Sequence, residues 1–155
     1  MSLEKIETFI SKEGNIYSII FNSFDQAKLP LEFEKPLIEV TIAVENYKSL
    51  NGAKTLGKIV DIIKIYLDEN DVILYSYCDN KEINRSINNQ KLFPQHYRSL
   101  LFATLFHKYN TFNHINEVIV IADPDYGHHY IHLISRSENR GLLDSLTSAL
   151  INFGK

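Results

Sequence analysis

DVILYSYCDNKEINRS, residues 71–86, contains an apolar strand that leads directly into the start of a helix, and it locates the middle of the fold. Apolar and aromatic side chains occupy both faces of the predicted strand 71–78: Val72 and Leu74 on one face, Ile73, Tyr75 and Tyr77 on the other. A strand that is apolar on both faces is typical of the interior of a sheet. Asp79 and Glu82 then have the spacing of a capping box, which predicts a short helix running toward Asn88.

Two further strands are predicted before this stretch. Residues 15–24 are β-branched and aromatic, and they follow a turn signal at Gly14. Residues 37–45 alternate with the period of a sheet that has one buried and one solvated face. The apolar positions are Ile38, Val40, Ile42 and Val44, and between them stand Glu39, Thr41, Ala43 and Glu45. A loop containing Pro30 and Pro36 is predicted to join the two strands.

Helices and one hairpin complete the predicted elements. Apolar residues recur at helical spacing over 56–67 and 141–153. The segment 95–109 is apolar nearly all round, which predicts a heavily buried helix or one that contacts another subunit. Segments 117–122 and 129–135 flank turn-rich sequence and predict a β-hairpin.

The resulting order is ββαβ(αα)ββα, without an internal repeat. It favours a single α+β domain spanning residues 1–155, in which a single-layer antiparallel or mixed sheet of about five strands is covered by helices. A chain of 155 residues can bury roughly two thirds of its unfolded surface. Its 45% hydrophobic and 23% charged residues are globular proportions, so no disulfide or metal is needed for folding.

Charge and cysteine content bear on the class of protein. A net charge of −3 without a run of five like charges makes a nucleic-acid-binding module the third choice. The single cysteine cannot form an intrachain disulfide, and the N-terminus lacks a basic leader. No apolar run approaches the roughly 20 residues that cross a bilayer. We therefore expect a cytoplasmic protein without membrane contact.

The histidines raise the question of a metal site. His128 and His132 are four residues apart, a spacing that chelates zinc on a helix. In a predicted strand, four residues span roughly 13 Å, which is too far for two imidazoles to share one ion. Asp123 and Asp125 could join His128 or His129, although Asp-Pro and Pro-Asp are also ordinary turn sequences. We expect no metal and no cofactor.

Cys78 is the candidate reactive group. It lies where a strand meets a helix N-terminus, and the helix dipole can favour a thiolate there. A lone cysteine in an apolar strand is more often a small buried hydrophobic residue. His96, His107 and His114 are candidate bases, but no spacing to Cys78 selects among them. No catalytic residue is therefore assigned.

Polar residues near the strand end are the candidate binding site. Asp79 and Arg85 lie on the predicted helix beyond the strand, where sheet proteins often bind ligands. Capping and a pair between Glu82 and Arg85 account for much of this cluster without a ligand. Asp123, Asp125 and His128 in the hairpin turn complete the predicted binding residues.

The central stretch resembles a small uncharacterised bacterial family, classed as a domain of unknown function. The residues that carry the resemblance are Tyr75, Tyr77, Cys78, Asp79, Arg85, Phe93, His96 and Tyr97. The family pattern has an aliphatic strand that ends in tyrosine and cysteine, an acidic helix start, an arginine, and then Phe-x-x-Trp-Tyr. This chain departs from the pattern with His96 in the tryptophan position and an apparently longer insert around 98–112.

The resemblance extends from the first strand to the final helix, with 117–146 similar to the closing hairpin and helix. It implies a fold and a bacterial cytoplasmic setting, but no reaction. We expect a non-enzymatic binding or regulatory module that contacts another protein or a small polar ligand. The alternative is a small hydrolase-type enzyme that uses Cys78 or a His/Asp pair. The apolar segment 95–109 also predicts a homo-oligomer.

Overall fold

The computed structural model describes residues 3–12, 14–24, 35–45, 53–78, 93–109, 113–125 and 127–153. The elements in these residues are β1 (Lys5–Ile10), β2 (Ile16–Ser23), β3 (Leu37–Glu45), α1 (Ala53–Glu69), β4 (Ile73–Tyr77), α2 (Pro94–Tyr109), β5 (His114–Ile121), β6 (His129–Arg136) and α3 (Arg140–Phe153). The six strands form one mixed sheet in the order β1-β2-β3-β4-β6-β5. The predicted α+β class is confirmed.

The sheet has one strand more than the sequence predicted. β1 was missed because apolar residues lie on both of its faces, with Ile6 and Ile10 on one and Phe9 on the other, so no clean alternation marks it. The other predicted strands and the hairpin are confirmed within one to three residues at each end. The predicted helix at 79–88 and the loop with Pro30 lie outside the described residues.

Strand pairing places β4 in the interior of the sheet, as its two apolar faces predict. β1, β2 and β3 form an antiparallel meander, and β3 then pairs with β4 in parallel, with Leu37 opposite Ile73. β4 and β6 are antiparallel, as are β6 and β5. The single parallel step follows from α1, which crosses over one face of the sheet between β3 and β4.

The helices cover both faces of the sheet, so the molecule has two apolar cores. α1 and α2 pack on one face against β2, β3, β4 and β6, and Ile63, Leu67 and Phe106 are among the buried helical residues. α3 packs on the other face through Leu143 and Leu146, against β3, β4, β5 and β6. The two cores alternate along the strands, because neighbouring side chains point to opposite faces.

α2 is less buried than its apolar sequence predicts. Its buried positions include two polar residues, Gln95 and Ser99, besides Phe106, whereas Leu100 is 47% exposed. One side of the helix therefore meets the sheet through polar contacts. Of the helices in the described ranges, none has both the length and the apolar character needed to cross a membrane.

Candidate functional site

Three parts of the chain meet at one end of the sheet. β4 ends at Tyr77, which pairs with Ile131 of antiparallel β6, so the end of β4 lies beside the start of β6. The turn that joins β5 to β6 lies at the same end. The start of α2 reaches this turn, because a Cβ added to Gly127 would lie 2.3 Å from Gln95 Nε2. This sheet end is the candidate site.

A chain of three polar side chains lies on this sheet end. Tyr77 Oη is 2.6 Å from His129 Nδ1, and His129 Nε2 is 3.3 Å from Asp123 Oδ2. With an ionised carboxylate at Asp123, a neutral imidazole carries its proton on Nε2, and its Nδ1 accepts a hydrogen bond donated by the Tyr77 hydroxyl. Exposure is partial throughout: the Tyr77 residue is 46% exposed, and the side chains of His129 and Asp123 are 41% and 29% exposed. We call these three residues the relay.

The hairpin turn holds the relay in place. His128 Nδ1 accepts a hydrogen bond of 2.9 Å from the backbone N–H of Asp123, which closes the turn across five residues. Gly127 adopts φ +88°, in the left-handed region that favours glycine. His128 therefore supports Asp123 from within the turn, while Asp125 is exposed at its tip. Of the three predicted binding residues in the turn, Asp123 is the one that joins the relay.

Cys78 is buried directly behind the relay. It is 7% exposed, and its backbone N–H donates to the carbonyl oxygen of Tyr130 at 2.9 Å. A buried thiol cannot reach a substrate without local opening, so the geometry does not support a nucleophile there. On the neighbouring helix, His96 stacks on Tyr130 with ring centroids 4.9 Å apart. His96 thus makes a flat aromatic contact with β6.

The other two predicted binding residues, Asp79 and Arg85, lie outside the described residues. Their part in binding stays a prediction.

A second histidine on β6 has similar partners in the interior. Ser99 Oγ of α2 lies 2.9 Å from His132 Nε2, and His132 Nδ1 lies 3.0 Å from Asn116 Oδ1 of β5. His132 is 0% exposed and Ser99 is 3% exposed. Burial lowers the pKa of His132 from 6.5 to about 4, because the charged imidazolium loses its hydration there. We call these residues the buried triad. No substrate can approach its hydroxyl, so its contribution is to dock α2 on the sheet.

The opposite end of the sheet carries a third polar group. His114 Nε2 lies 2.8 Å from Asp68 Oδ1, and Arg136 donates to the carbonyl oxygens of Leu67 and Asp68 at the end of α1. A shallow depression of ≈ 340 Å³ is lined by Asp68, Asn113, Arg136, Ser137 and Glu138. These contacts close the end of α1, where a cation is favourable.

Metal binding finds no support in the described ranges, where no three His, Cys, Asp or Glu side chains converge well enough to hold an ion. His128 and His132 have separate partners, one in the turn and one under α2. The sequence matches no protein-family model, and no curated protein is significantly similar to it. The bacterial family named above therefore stays a prediction.

Sequence reasoning found part of the relay and missed the rest. The sequence places Asp123 and His129 on the two sides of one turn, where it considers them as metal ligands, and it predicts Tyr77 as part of an interior apolar strand. The signal for Tyr77 was its position as the last residue of an apolar strand, directly before a polar segment. An aromatic ring with a hydroxyl at such a boundary can keep one end in water.

Proposed function

We propose that this chain is a non-enzymatic binding or regulatory module of the bacterial cytoplasm. Its binding surface is the sheet end that carries Tyr77, His129 and Asp123. The ligand is another protein or a small polar molecule that hydrogen-bonds to the relay. The observation that carries the proposal is the relay itself, since it gathers a phenol, an imidazole and a carboxylate on an open surface.

The character of the surface supports binding. Tyr77 is 46% exposed, and Phe93, which lies close to Gly127 in the turn, is 53% exposed, so this end of the sheet presents aromatic area to solvent. Exposed tyrosine next to hydrogen-bonding groups is enriched in protein interfaces, where it supplies contact area at low entropic cost. The relay is open to solvent, which suits a protein surface more than an enclosed small molecule.

One observation favours an enzyme as the second candidate. A neutral imidazole held between a carboxylate and a phenol can pass a proton to or from Tyr77, which is the geometry of general acid–base catalysis. In that case His129 and Asp123 would be the His/Asp pair, and Tyr77 would touch the substrate. Cys78 would have no part, because it is buried.

A binding experiment tests the proposal. Wild-type protein immobilised at low density should retain a specific partner from bacterial lysate, and His129→Ala should lose that partner. Val120→Thr is the matched control, because Val120 is 48% exposed on the adjacent edge strand and lies outside the relay. Equal retention by wild type and His129→Ala, with unchanged circular dichroism, would contradict the proposal.

The enzyme alternative gives a different pattern. Turnover in a general hydrolase screen that disappears in Tyr77→Phe, which deletes one oxygen, would replace the binding module with an acid–base enzyme. Turnover that is unchanged in Tyr77→Phe would come from another site or a contaminant.

A further inference from the structure

A row of side chains crosses the side of the sheet on which α3 lies. Glu39 of β3 is opposite Asn22 of β2 and opposite Tyr75 of β4, so the three side chains are neighbours on one face. Phe24 donates its backbone N–H to Leu37, which makes it a diagonal neighbour of Glu39. The rings of Phe24 and Tyr75 are in contact, with centroids 4.9 Å apart. We call Asn22, Phe24, Glu39 and Tyr75 the Glu39 cluster.

The Glu39 cluster is accessible and contains an unsatisfied charge. α3 makes its closest contacts with β5 and β6, which leaves this row partly open. Glu39, Phe24 and Tyr75 are half-buried, and Asn22 is exposed. Within the described ranges, no hydrogen bond or ion pair reaches the Glu39 carboxylate. Charges that lose hydration are normally paired or hydrogen-bonded, so this carboxylate is open to a ligand that supplies a partner.

The charge of this sheet face is complementary to a cation. Lys5 and Arg136 are the lysine and arginine of the described strands, and both reach the last turn of α1 on the other face of the sheet. Lys35, which precedes β3, pairs with Asp71. The described strands therefore bring no lysine or arginine to Glu39. A cation that binds there would meet a carboxylate without competition from a basic side chain of the same face.

The surroundings of Tyr75 also favour a positive ion. Burial raises the pKa of Tyr75, and the negative charges of Glu39 and Tyr77 raise it further. The hydroxyl group of Tyr75 therefore stays protonated in a region of negative potential. Aromatic rings attract an ammonium group that lies within about 6 Å of the ring centre. Tyr75 and Phe24 provide two such rings beside the carboxylate.

We propose that the Glu39 cluster binds the ammonium group of a primary alkylamine. The N–H groups of the ligand donate to the Glu39 carboxylate and to the side-chain oxygen of Asn22. Its alkyl chain packs on the rings of Phe24 and Tyr75. A small amine and a lysine side chain of another protein share this chemistry.

The Glu39 cluster is distinct from the relay. It lies next to the relay, because Tyr75 and Tyr77 are two residues apart on β4 and point to the same face. It includes neither His129 nor Asp123. Amine binding to the Glu39 cluster therefore holds whether or not the relay binds a partner.

Glu117 shows why the aromatic rings matter. This residue lies in the same row of the sheet, opposite Leu133, and it is also half-buried. Its neighbours on the same face of β5 are Ile115 and Ile119, so the strand offers no aromatic ring to a cation there. Glu117 is thus the matched control for Glu39, with the same charge in an aliphatic setting.

Titration by NMR tests the proposal, with n-butylammonium as the ligand and 1-butanol as the neutral control at equal ionic strength. The amine should shift backbone amide resonances of β3 and β4 near Glu39 and Tyr75, and the alcohol should not. Glu39→Gln should weaken amine binding at least about tenfold, because a hydrogen bond to a charged group is lost. Tyr75→Leu should weaken it about threefold through loss of the cation–π contact. The same spectra report whether both variants are folded.

Control variants and a second ligand sharpen the test. Glu117→Gln and His129→Ala should bind n-butylammonium as the wild type does. A pentapeptide with blocked ends and a central lysine separates the two sources of the ammonium group. Tighter binding of the peptide than of the amine identifies a lysine of another protein, and equal binding identifies a small amine.

Three results would overturn the proposal. Equal shifts with n-butylammonium and 1-butanol would show that the positive charge is not recognised. Unchanged affinity in Glu39→Gln, or an equal loss in Glu117→Gln, would show general attraction to an acidic surface. Loss of amine binding in His129→Ala would assign the amine to the relay and remove the Glu39 cluster as a separate site.

Discussion

Two histidines on one strand show how burial gives similar groups different roles. His129 and His132 both lie on β6, and each imidazole stands between a hydroxyl and a side-chain oxygen. Since they are three positions apart on a strand, they point to opposite faces of the sheet. One reaches the open end of the sheet, and the other lies under α2. The flanking atoms alone would suggest proton transfer at both, yet solvent access permits it at one.

Removal of each imidazole gives the largest contrast. We expect His132→Ala to lower the free energy of unfolding by about 4 kcal/mol, because it leaves a cavity and removes the partner of the buried Ser99 hydroxyl and of the part-buried Asn116 amide. His129→Ala should change it by less than about 0.5 kcal/mol, since its partners regain water. Urea denaturation measures both. Equal losses would show that the buried triad does not dock α2.

Low pH should destabilise the folded protein through His132 of the buried triad. The pKa of His132 is lowered from 6.5 in the unfolded chain to about 4 in the folded one. The unfolded state therefore binds a proton over this range and the folded state does not, so stability is lost as the pH falls from about 6.5 to about 4. The loss amounts to about 3 kcal/mol.

Denaturation of wild type and His132→Gln at several pH values measures this effect. The variant should lose most of the slope between these pH values. An unchanged slope in His132→Gln would assign the acid sensitivity to other groups.

Alanine substitutions of two glycines, one in the turn and one in α3, should change stability in opposite directions. An added Cβ at Gly127 would lie 2.3 Å from Gln95 Nε2, in a backbone with φ +88°, so Gly127→Ala should cost about 2 kcal/mol. It should also displace the turn that carries Asp123. Gly141→Ala in α3 meets nothing within 4 Å and should stabilise by about 0.5 kcal/mol. Thermal unfolding of both variants checks the opposite signs.

Hydroxyl deletion gives the smallest effects. Ser99→Ala should cost about 1 kcal/mol, since His132 keeps a buried ring nitrogen without its partner. Tyr77→Phe should cost less than about 0.5 kcal/mol and yet weaken binding at the relay. Chemical denaturation measures the loss of stability in both variants, and the lysate experiment measures the loss of binding in Tyr77→Phe. A Tyr77→Phe variant that loses as much stability as Ser99→Ala would show that the relay is a structural contact.

The segments with periodic apolar residues could be predicted from sequence, because the spacing of those residues depends only on which side of the element packs against a neighbour. α1 buries one regular side, as the sequence indicates, and β3 buries Ile38 and Val40 of its predicted apolar side. Ile42 and Val44, which the alternation also predicts as buried, are 37% and 41% exposed. β1 could not be found in this way, since an edge strand with an uncovered face has no polar side to mark it. The burial of α2 differs from its prediction for a related reason: besides Phe106, its contact to the sheet includes Ser99, a residue type that is common on surfaces.

The relay could be predicted only with knowledge of the strand order. Asp123 and His129 are close in sequence, so their proximity follows from the turn. Tyr77 is 52 residues from His129, and only the pairing of β4 with β6 brings them together. Prediction of the buried triad would also require the position of α2 on the sheet, because β5, β6 and α2 each supply one of its residues. No local pattern encodes a contact of three elements.

The parallel junction between β3 and β4 has a consequence for how the molecule opens. It rests on three aligned pairs, from Leu37 opposite Ile73 to Glu39 opposite Tyr75, whereas the antiparallel pair of β2 and β3 has eight. The junction is thus the most weakly paired part of the sheet, and α1 stabilises it because this helix packs on strands at both sides of the junction. Fraying of α1 would let the meander swing away from the half that carries the relay. The coupling between the two parts of the sheet therefore depends in large part on α1, which supplements three backbone pairs.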